Sequence, residues 1–186
     1  MIVLGNLAMH FSEIKKHLRP YSIFQKRRTT VNHAFAAAIA PCDDYDEKRL
    51  KQTIQSLGQD ADQDLLCVYC GGRAQTWDHV LPTVSKSEFS GAGHRISNLV
   101  PCCKPCNSSK GNRNWELFLE AISSNNADFV KRRDIIRSHV SNMPNDMVPI
   151  NDSKYCDLRR IRDEVLGLLK KADVLAQEIR ISQIRK

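Results

Sequence analysis

The chain of 186 residues lacks any stretch near the roughly 18 to 20 uninterrupted apolar residues that a membrane-spanning helix requires. Its apolar N-terminus, residues 1–11, has neither a basic leader nor a long apolar core, so a signal peptide is not expected. Internal repeats and low-complexity tracts are absent as well, and 41% hydrophobic with 26% charged residues argues against disorder. The sequence therefore predicts a soluble, cytoplasmic protein with one ordinary domain, or one small domain with appended helices.

Positive charge exceeds negative charge, with 28 Lys and Arg residues against 21 Asp and Glu residues and a formal net charge of +7. The excess is uneven, because basic stretches at 1–40, 67–113 and 154–186 are separated by acidic ones. This pattern suits a surface that meets a polyphosphate on one side and water on the other. The alternative is that a mild basic excess only keeps the protein soluble, and charge alone leaves both interpretations open.

Cysteine is the most informative residue type. The chain has seven cysteines, and an odd number without an export signal does not indicate a disulfide framework. Four of them form two CxxC pairs, Cys67 with Cys70 and Cys103 with Cys106, and this spacing places both sulfurs of a pair on one side of a tight knuckle. A redox CxxC would leave the second pair unexplained. We therefore expect a structural Zn²⁺ held by these four thiolates; Cys102 in place of Cys103 would make a less usual knuckle.

The flanks of the cysteine pairs have mainly helical patterns. Apolar spacing and capping residues predict helices at about 10–18, 30–40, 44–58, 114–122, 127–142 and 153–186. Between the pairs, the sequence predicts a strand at 74–81, a Ser- and Gly-rich loop at 85–93 and a returning strand at 96–100. Four further side chains are expected to be buried: Cys42, Trp77, Trp115 and Cys156.

The segment between the cysteine pairs carries a dense motif. It contains, in order, Asp78-His79 with Pro82, a Gly-rich loop at 91–94, Asn98-Leu99, and Cys106-Asn107 followed by Lys110. This order resembles the HNH endonucleases of the ββα-metal superfamily, in their zinc-stapled form with two CxxC pairs, over about residues 67–111. The resemblance implies an α+β fold, with a small ββα-metal core stapled by a four-cysteine zinc site and flanked by N- and C-terminal α-helices.

The resemblance and the predicted flanking helices together predict that the chain has four parts. Residues 1–66 form a basic, helical N-terminal arm, and residues 67–113 form the HNH nuclease core with its structural zinc. Residues 114–150 are a helical extension, and residues 151–186 are a long C-terminal helix.

The resemblance also implies roles for five side chains. Asp78 and Asn107 would bind a catalytic metal ion, His79 would be the general base, and Asn98 would hold the loop between the two strands. Oxygen ligands favour Mg²⁺ or Mn²⁺, and the ordinary histidine pKa of about 6.5 suits a base. Since neighbouring strand residues face opposite ways, Asp78 and His79 can address one phosphate only at a bend or a strand end. Lys110 shares a helix face with Asn107 and is expected to bind phosphate or stabilise the transition state, unless it is merely solvated.

The resulting prediction is a metal-dependent endonuclease that hydrolyses phosphodiester bonds of DNA, of a restriction or mobile-element kind, and that does not act at a membrane. His94, which lacks an adjacent carboxylate, is expected to be a loop or DNA-contact residue and not the base. The alternative is a non-catalytic zinc module that only binds nucleic acid. A pure binding module would have no reason to carry the set of Asp78, His79 and Asn107.

Two surface patterns in the sequence predict binding partners, namely DNA and a second copy of the chain. Basic clusters at 26–28 and 131–133 are predicted to contact phosphates, although such clusters usually form a solvated face. The C-terminal helix has apolar residues at alternating spacings of three and four, which predicts a homodimer through this helix. Further leucines widen the stripe, and this width equally favours packing on the protein's own body. The residues of the seam are Leu158, Ile161, Val165, Leu168, Ala172, Leu175 and Ile179.

Overall fold

The computed structural model describes residues 10–123, 125–143 and 152–184, and it confirms an α+β fold. Its α-helices are α1 (Ile23–Ile39), α2 (Glu47–Ser56), α3 (Lys104–Lys110), α4 (Trp115–Ile122), α5 (Asn126–Ser141) and α6 (Ser153–Ile184). Its strands are β1 (Thr76–His79), β2 (Val84–Ser85), β3 (Glu88–Phe89) and β4 (Leu99–Cys102). Short 3-10 helices lie at Phe11–Lys16 and Ile96–Asn98. Within these ranges no helix is long and apolar enough to cross a membrane.

The centre of the fold is a two-stranded ladder followed by a helix. β1 pairs antiparallel with β4, with Thr76 opposite Cys102 and His79 opposite Leu99. Cys103 caps the following helix α3, which packs on β1. The second strand is shifted from the predicted 96–100, because residues 96–98 form a 3-10 turn before β4 begins. The loop predicted at 85–93 contains part of the small hairpin of β2 and β3, and its turn has positive φ at Lys86 and Ser87.

The main core lies between the ladder and helices α2, α4 and α5. Its largest fully buried members include Tyr69, Val80, Val100, Leu119 and Ile136. Trp115 is buried there as expected, but the prediction that Trp77 is buried is wrong, since its side chain is 42% exposed. The reason is strand alternation, because Asp78 faces inward and its neighbour must therefore face outward. Cys42 and Cys156, also expected to be buried, are exposed.

Helices α1 and α6 form a second unit by packing along each other. α1 begins at Ile23, before the predicted start near Thr30, because Ser22 caps it and Asp173 of α6 accepts hydrogen bonds there. The Asp173 carboxylate accepts from Ser22 Oγ at 2.7 Å and from the backbone N–H of Ile23 at 2.7 Å. The small hairpin joins this unit, since Val84 and Phe89 pack on Ala36 of α1.

Candidate active site

The four cysteines of the two CxxC pairs converge on one point. The sulfurs of Cys67, Cys70, Cys103 and Cys106 all lie within 4.8 Å of one another. In the first knuckle the backbone N–H of Gly71 donates to Cys67 O at 2.8 Å, and Gly71 has a φ of +75°. Four thiolates in a closed cluster are the donor set of a structural Zn²⁺ site, with no ligand position left for water. The chain therefore has a zinc-capable four-cysteine site between the first knuckle and α3.

Cys102 lies beside this cluster and is not a member of it. Its side chain is fully buried at the end of β4, with its sulfur 3.9 Å from Cys67 Sγ. Cys103 instead caps α3, and its sulfur lies 3.7 Å from Cys70 Sγ. The contact with Cys102 lowers the pKa of Cys67, whereas burial raises the pKa of Cys70 and of Cys106, so a bound metal ion would have to stabilise the thiolate form of these two ligands.

Asp78 belongs to β1 and its side chain is buried. Two hydrogen-bond donors contact one of its carboxylate oxygens. Asp78 Oδ2 accepts from the Tyr69 hydroxyl at 2.8 Å and lies 3.0 Å from the Lys110 ammonium. Burial and the Asp78 charge raise the pKa of Tyr69, so its hydroxyl stays protonated and remains a donor. The second oxygen, Oδ1, is used by neither of these two donors.

Lys110 is fully buried, so the alternative that this lysine is merely solvated is wrong. Besides its ion pair with Asp78, its ammonium donates to the backbone oxygen of His79 at 2.8 Å. A buried charge of this kind is tolerated because it is both paired and hydrogen-bonded. The side chain thus connects α3 to the end of β1, and its buried ammonium does not face solvent, where a phosphate would bind.

Asn107 lies one turn before Lys110 on the same face of α3. Its amide nitrogen donates to the backbone oxygen of Trp77 at 3.4 Å, next to Asp78 in β1. The structure therefore brings Asp78 and Asn107 to the same contact between strand and helix. Since the amide nitrogen is turned to the strand, the Asn107 carbonyl oxygen is left as a second hard donor.

His79 is the last residue of β1, so the strand end that the sequence argument required is present. Its Nε2 lies 2.9 Å from Nδ1 of His94, and the two rings meet edge to face at 69°. Burial lowers the pKa of His79, and the nearby His94 and Lys110 lower it further against the opposing effect of Asp78. This direction favours the neutral imidazole, which is the form that a general base requires.

The contact between His79 and His94 was missed by sequence reasoning, which placed His94 in a loop. Asn98 explains why the two rings meet, because its fully buried amide bridges the ends of that loop. Asn98 Oδ1 accepts from Leu81 N at 2.8 Å, and its Nδ2 donates to Leu81 O and to Gly93 O, each at 3.0 Å. The side chain thus ties the residues that follow His79 to the residue that precedes His94.

The family comparison agrees with this geometry. Residues 67–113 match the family model described as HNH endonuclease. This segment is therefore similar to the HNH endonucleases. The match covers about a quarter of the chain and contains β1, β4, α3 and the four clustered cysteines. Comparison with curated proteins and with solved structures gives no significant match.

Proposed function

We propose that the protein is a metal-dependent endonuclease that hydrolyses phosphodiester bonds of DNA at the HNH segment. The observation that carries this proposal is the placement of His79 at the end of β1, beside Asp78 and Asn107 at the contact between β1 and α3. A base and two oxygen ligands are the parts that such a reaction requires, and the closed four-cysteine cluster that would stabilise them lies in the same family-matched segment.

His79 would act by removing a proton from the attacking water. The water oxygen bonds to phosphorus, the bond between phosphorus and the 3′ oxygen breaks, and the departing 3′ oxygen takes a proton from solvent. One fragment then ends in a 5′-phosphate and the other in a 3′-hydroxyl. The lowered pKa of His79 favours an available lone pair at neutral pH.

Asp78 and Asn107 would hold a divalent metal ion through Asp78 Oδ1 and the Asn107 side-chain carbonyl oxygen, which the hydrogen bonds described above do not use. Carboxylate and amide oxygens are hard donors that suit Mg²⁺ or Mn²⁺. When bound, such an ion supplies a Lewis acid for the phosphate oxygens and for the leaving oxygen. Lys110 would position Asp78 and the His79 backbone instead of binding phosphate, since its ammonium is buried against both.

DNA contact would come chiefly from α1. Lys26, Arg27 and Arg28 are exposed on this helix. The cluster at 131–133 is less available, because Arg132 binds Asp128 and the backbone oxygen of Val68, and Arg133 pairs with Asp134. Replacing residues 26–28 by alanine should therefore lower the slope of log affinity against log salt by about one for each phosphate that the variant no longer neutralises. An unchanged slope, measured by fluorescence anisotropy, would show that α1 is a solvated face.

Cleavage is tested directly with supercoiled plasmid and Mg²⁺ or Mn²⁺. Wild type and a His17→Ala variant, which removes an exposed histidine outside the HNH segment, should nick the plasmid. His79→Ala should lower the rate by about 10²- to 10⁴-fold, the usual contribution of a general base. Binding without cleavage by wild type would support the non-catalytic module instead. The restriction or mobile-element role stays a prediction, tested by whether cleavage depends on DNA sequence.

A further inference from the structure

We propose that His94 is the positioning residue for His79, and that residues 41–43, outside the HNH segment, hold it in place. This inference rests on the proposed function of His79 as a base. In the proposed arrangement, His79 Nε2–H donates to His94 Nδ1, and His79 Nδ1 is the nitrogen that receives the proton of water.

The direction of this hydrogen bond follows from what a base requires. A neutral imidazole has one N–H donor and one lone-pair acceptor. The 2.9 Å contact between His79 Nε2 and His94 Nδ1 uses one hydrogen, supplied by one ring or the other. If His94 donated it, the His79 lone pair would be occupied at Nε2 and its Nδ1 would carry the proton. Only donation by His79 leaves that ring a free lone pair, so His94 selects the active tautomer.

The backbone of His94 is fixed by the chain segment between α1 and α2. His94 N donates to Pro41 O at 2.7 Å, and Asp43 N donates to His94 O at 3.2 Å. Gly93 makes this close approach feasible, because a Cβ there would collide with the backbone oxygen of Pro41. A larger residue at Gly93 would therefore push the two segments apart and move His94.

Asp43 extends this support to the residues after His94. Its carboxylate accepts from the backbone N–H of Ile96 at 2.9 Å and pairs with Arg49 of α2 at 3.2 Å. On the other side of the loop, Asn98 binds the backbone oxygen of Gly93. His94 is thus held from both sides, and one side is built by residues that the family model does not include.

The expected consequence concerns the rate of the chemical step and not DNA affinity. His94→Ala should lower the single-turnover rate at saturating DNA and metal by about tenfold or more, but by less than loss of the base itself. His94→Asn should recover most of that rate, because the Asn side chain places a carbonyl acceptor near the former position of Nδ1. His94→Leu, which fills the space without an acceptor, should not recover it.

The direct test is the tautomer of His79, measured by long-range ¹H–¹⁵N NMR on the zinc-loaded, ¹⁵N-histidine-labelled full chain. We expect the Nε2–H tautomer in wild type, in His17→Ala and in His94→Asn, and a mixture of both tautomers in His94→Ala. A wild-type His79 in the Nδ1–H form, or a tautomer unchanged in His94→Ala, would overturn the proposal.

This measurement separates the two proposals. If the tautomers are as expected but wild type does not cleave DNA, the endonuclease proposal fails while the positioning of His79 stands. If wild type cleaves DNA and His94→Ala cleaves at the same rate, the positioning role fails while the endonuclease stands. The wild-type measurement needs no substitution, so a misfolded variant does not leave the question open.

Discussion

At the scale of single residues, the site depends on polar groups that are buried but paired. Asp78, Lys110 and Asn98 are all nearly or fully buried, and each is held by hydrogen bonds or an ion pair. Burial of this kind gives rigidity only while every partner is present, since an unpaired buried charge is strongly destabilising. Substitutions at these positions should therefore affect folding as well as chemistry.

Removal of Lys110 tests this dependence. Lys110→Met should lower the free energy of unfolding by about 3 to 5 kcal/mol, because it leaves the buried Asp78 carboxylate without its cation. Adding Asp78→Asn should recover part of the loss. Lys104→Met on the exposed side of α3 is the matched control and should change little. Denaturant unfolding measures all of these, and a stable Lys110→Met protein would show that the ion pair contributes nothing.

His139 predicts how stability depends on pH. Burial lowers its pKa from 6.5, against a smaller raising effect of the hydrogen-bonded backbone oxygen of Leu99. The unfolded chain therefore takes up this proton before the folded protein does, so the contribution of His139 is complete above pH 6.5 and declines below it. The stability difference between wild type and His139→Gln should shrink as pH falls from 6.5. A difference that stays constant or grows would contradict this sign.

At the scale of elements, the two knuckles, the ladder and α3 form one unit that depends on the four-cysteine site. A closed set of four thiolates cannot activate water, so its metal would stabilise the fold and not the reaction. Zinc bound there should contribute about 10 kcal/mol or more to folding. We expect Cys67→Ser, Cys103→Ser or removal of zinc by a chelator to unfold the segment, as measured by circular dichroism. A folded Cys67→Ser protein that had lost cleavage alone would contradict a structural role.

This unit could be predicted well because the information for it is local. Two CxxC spacings, the Asp78-His79 step and the Asn98 position all lie within one short motif. The structure brings the four cysteine sulfurs together and pairs the strand that carries Asp78 and His79 with the strand that follows Asn98. Contacts between distant segments were missed. Nothing in the residues near His94 indicates that Pro41 and Asp43 pair with it, and nothing in the residues near Asp78 indicates that its carboxylate accepts from the Tyr69 hydroxyl of the first knuckle.

The predicted helix boundaries were also inaccurate where a boundary depends on a contact with a distant segment. Ser22 is an ordinary capping residue, but the early start of α1 also depends on Asp173, which lies far along the sequence in α6. The predicted start near Thr30 relied on local capping alone. Tertiary hydrogen bonds of this kind extend an element beyond what its own residues indicate.

At the scale of the whole molecule, α6 has two faces. One packs along α1 and binds the small hairpin through Arg162, whose guanidinium contacts both carboxylate oxygens of Glu88 at 2.9 Å. The other keeps a row of exposed apolar side chains. This row consists of Ile161, Leu168, Leu175 and Ile179. One face of α6 therefore packs on the protein itself, as one interpretation of the seam predicted. The other face is the exposed apolar surface that the homodimer interpretation requires.

Self-association through this row stays a prediction. Two related sites would be needed to cut both strands of a duplex, which gives a dimer a functional role. Leu168→Glu combined with Leu175→Glu should yield a monomer by light scattering if wild type is a dimer. Truncation before α6 would be a poor test, because it also uncovers α1. A monomeric wild type that makes double-strand breaks in single encounters would contradict the prediction.

The central claim is that His79 is the base of a DNA-cleaving site, and it is tested most directly by measuring binding and cleavage on the same samples. Zinc-loaded wild type and His79→Ala should bind a DNA duplex with similar affinity. With Mg²⁺ or Mn²⁺ added, wild type should leave 5′-phosphate ends while His79→Ala leaves the duplex intact on the same time scale. Equal cleavage by the two proteins, or binding without cleavage by wild type, would contradict the account.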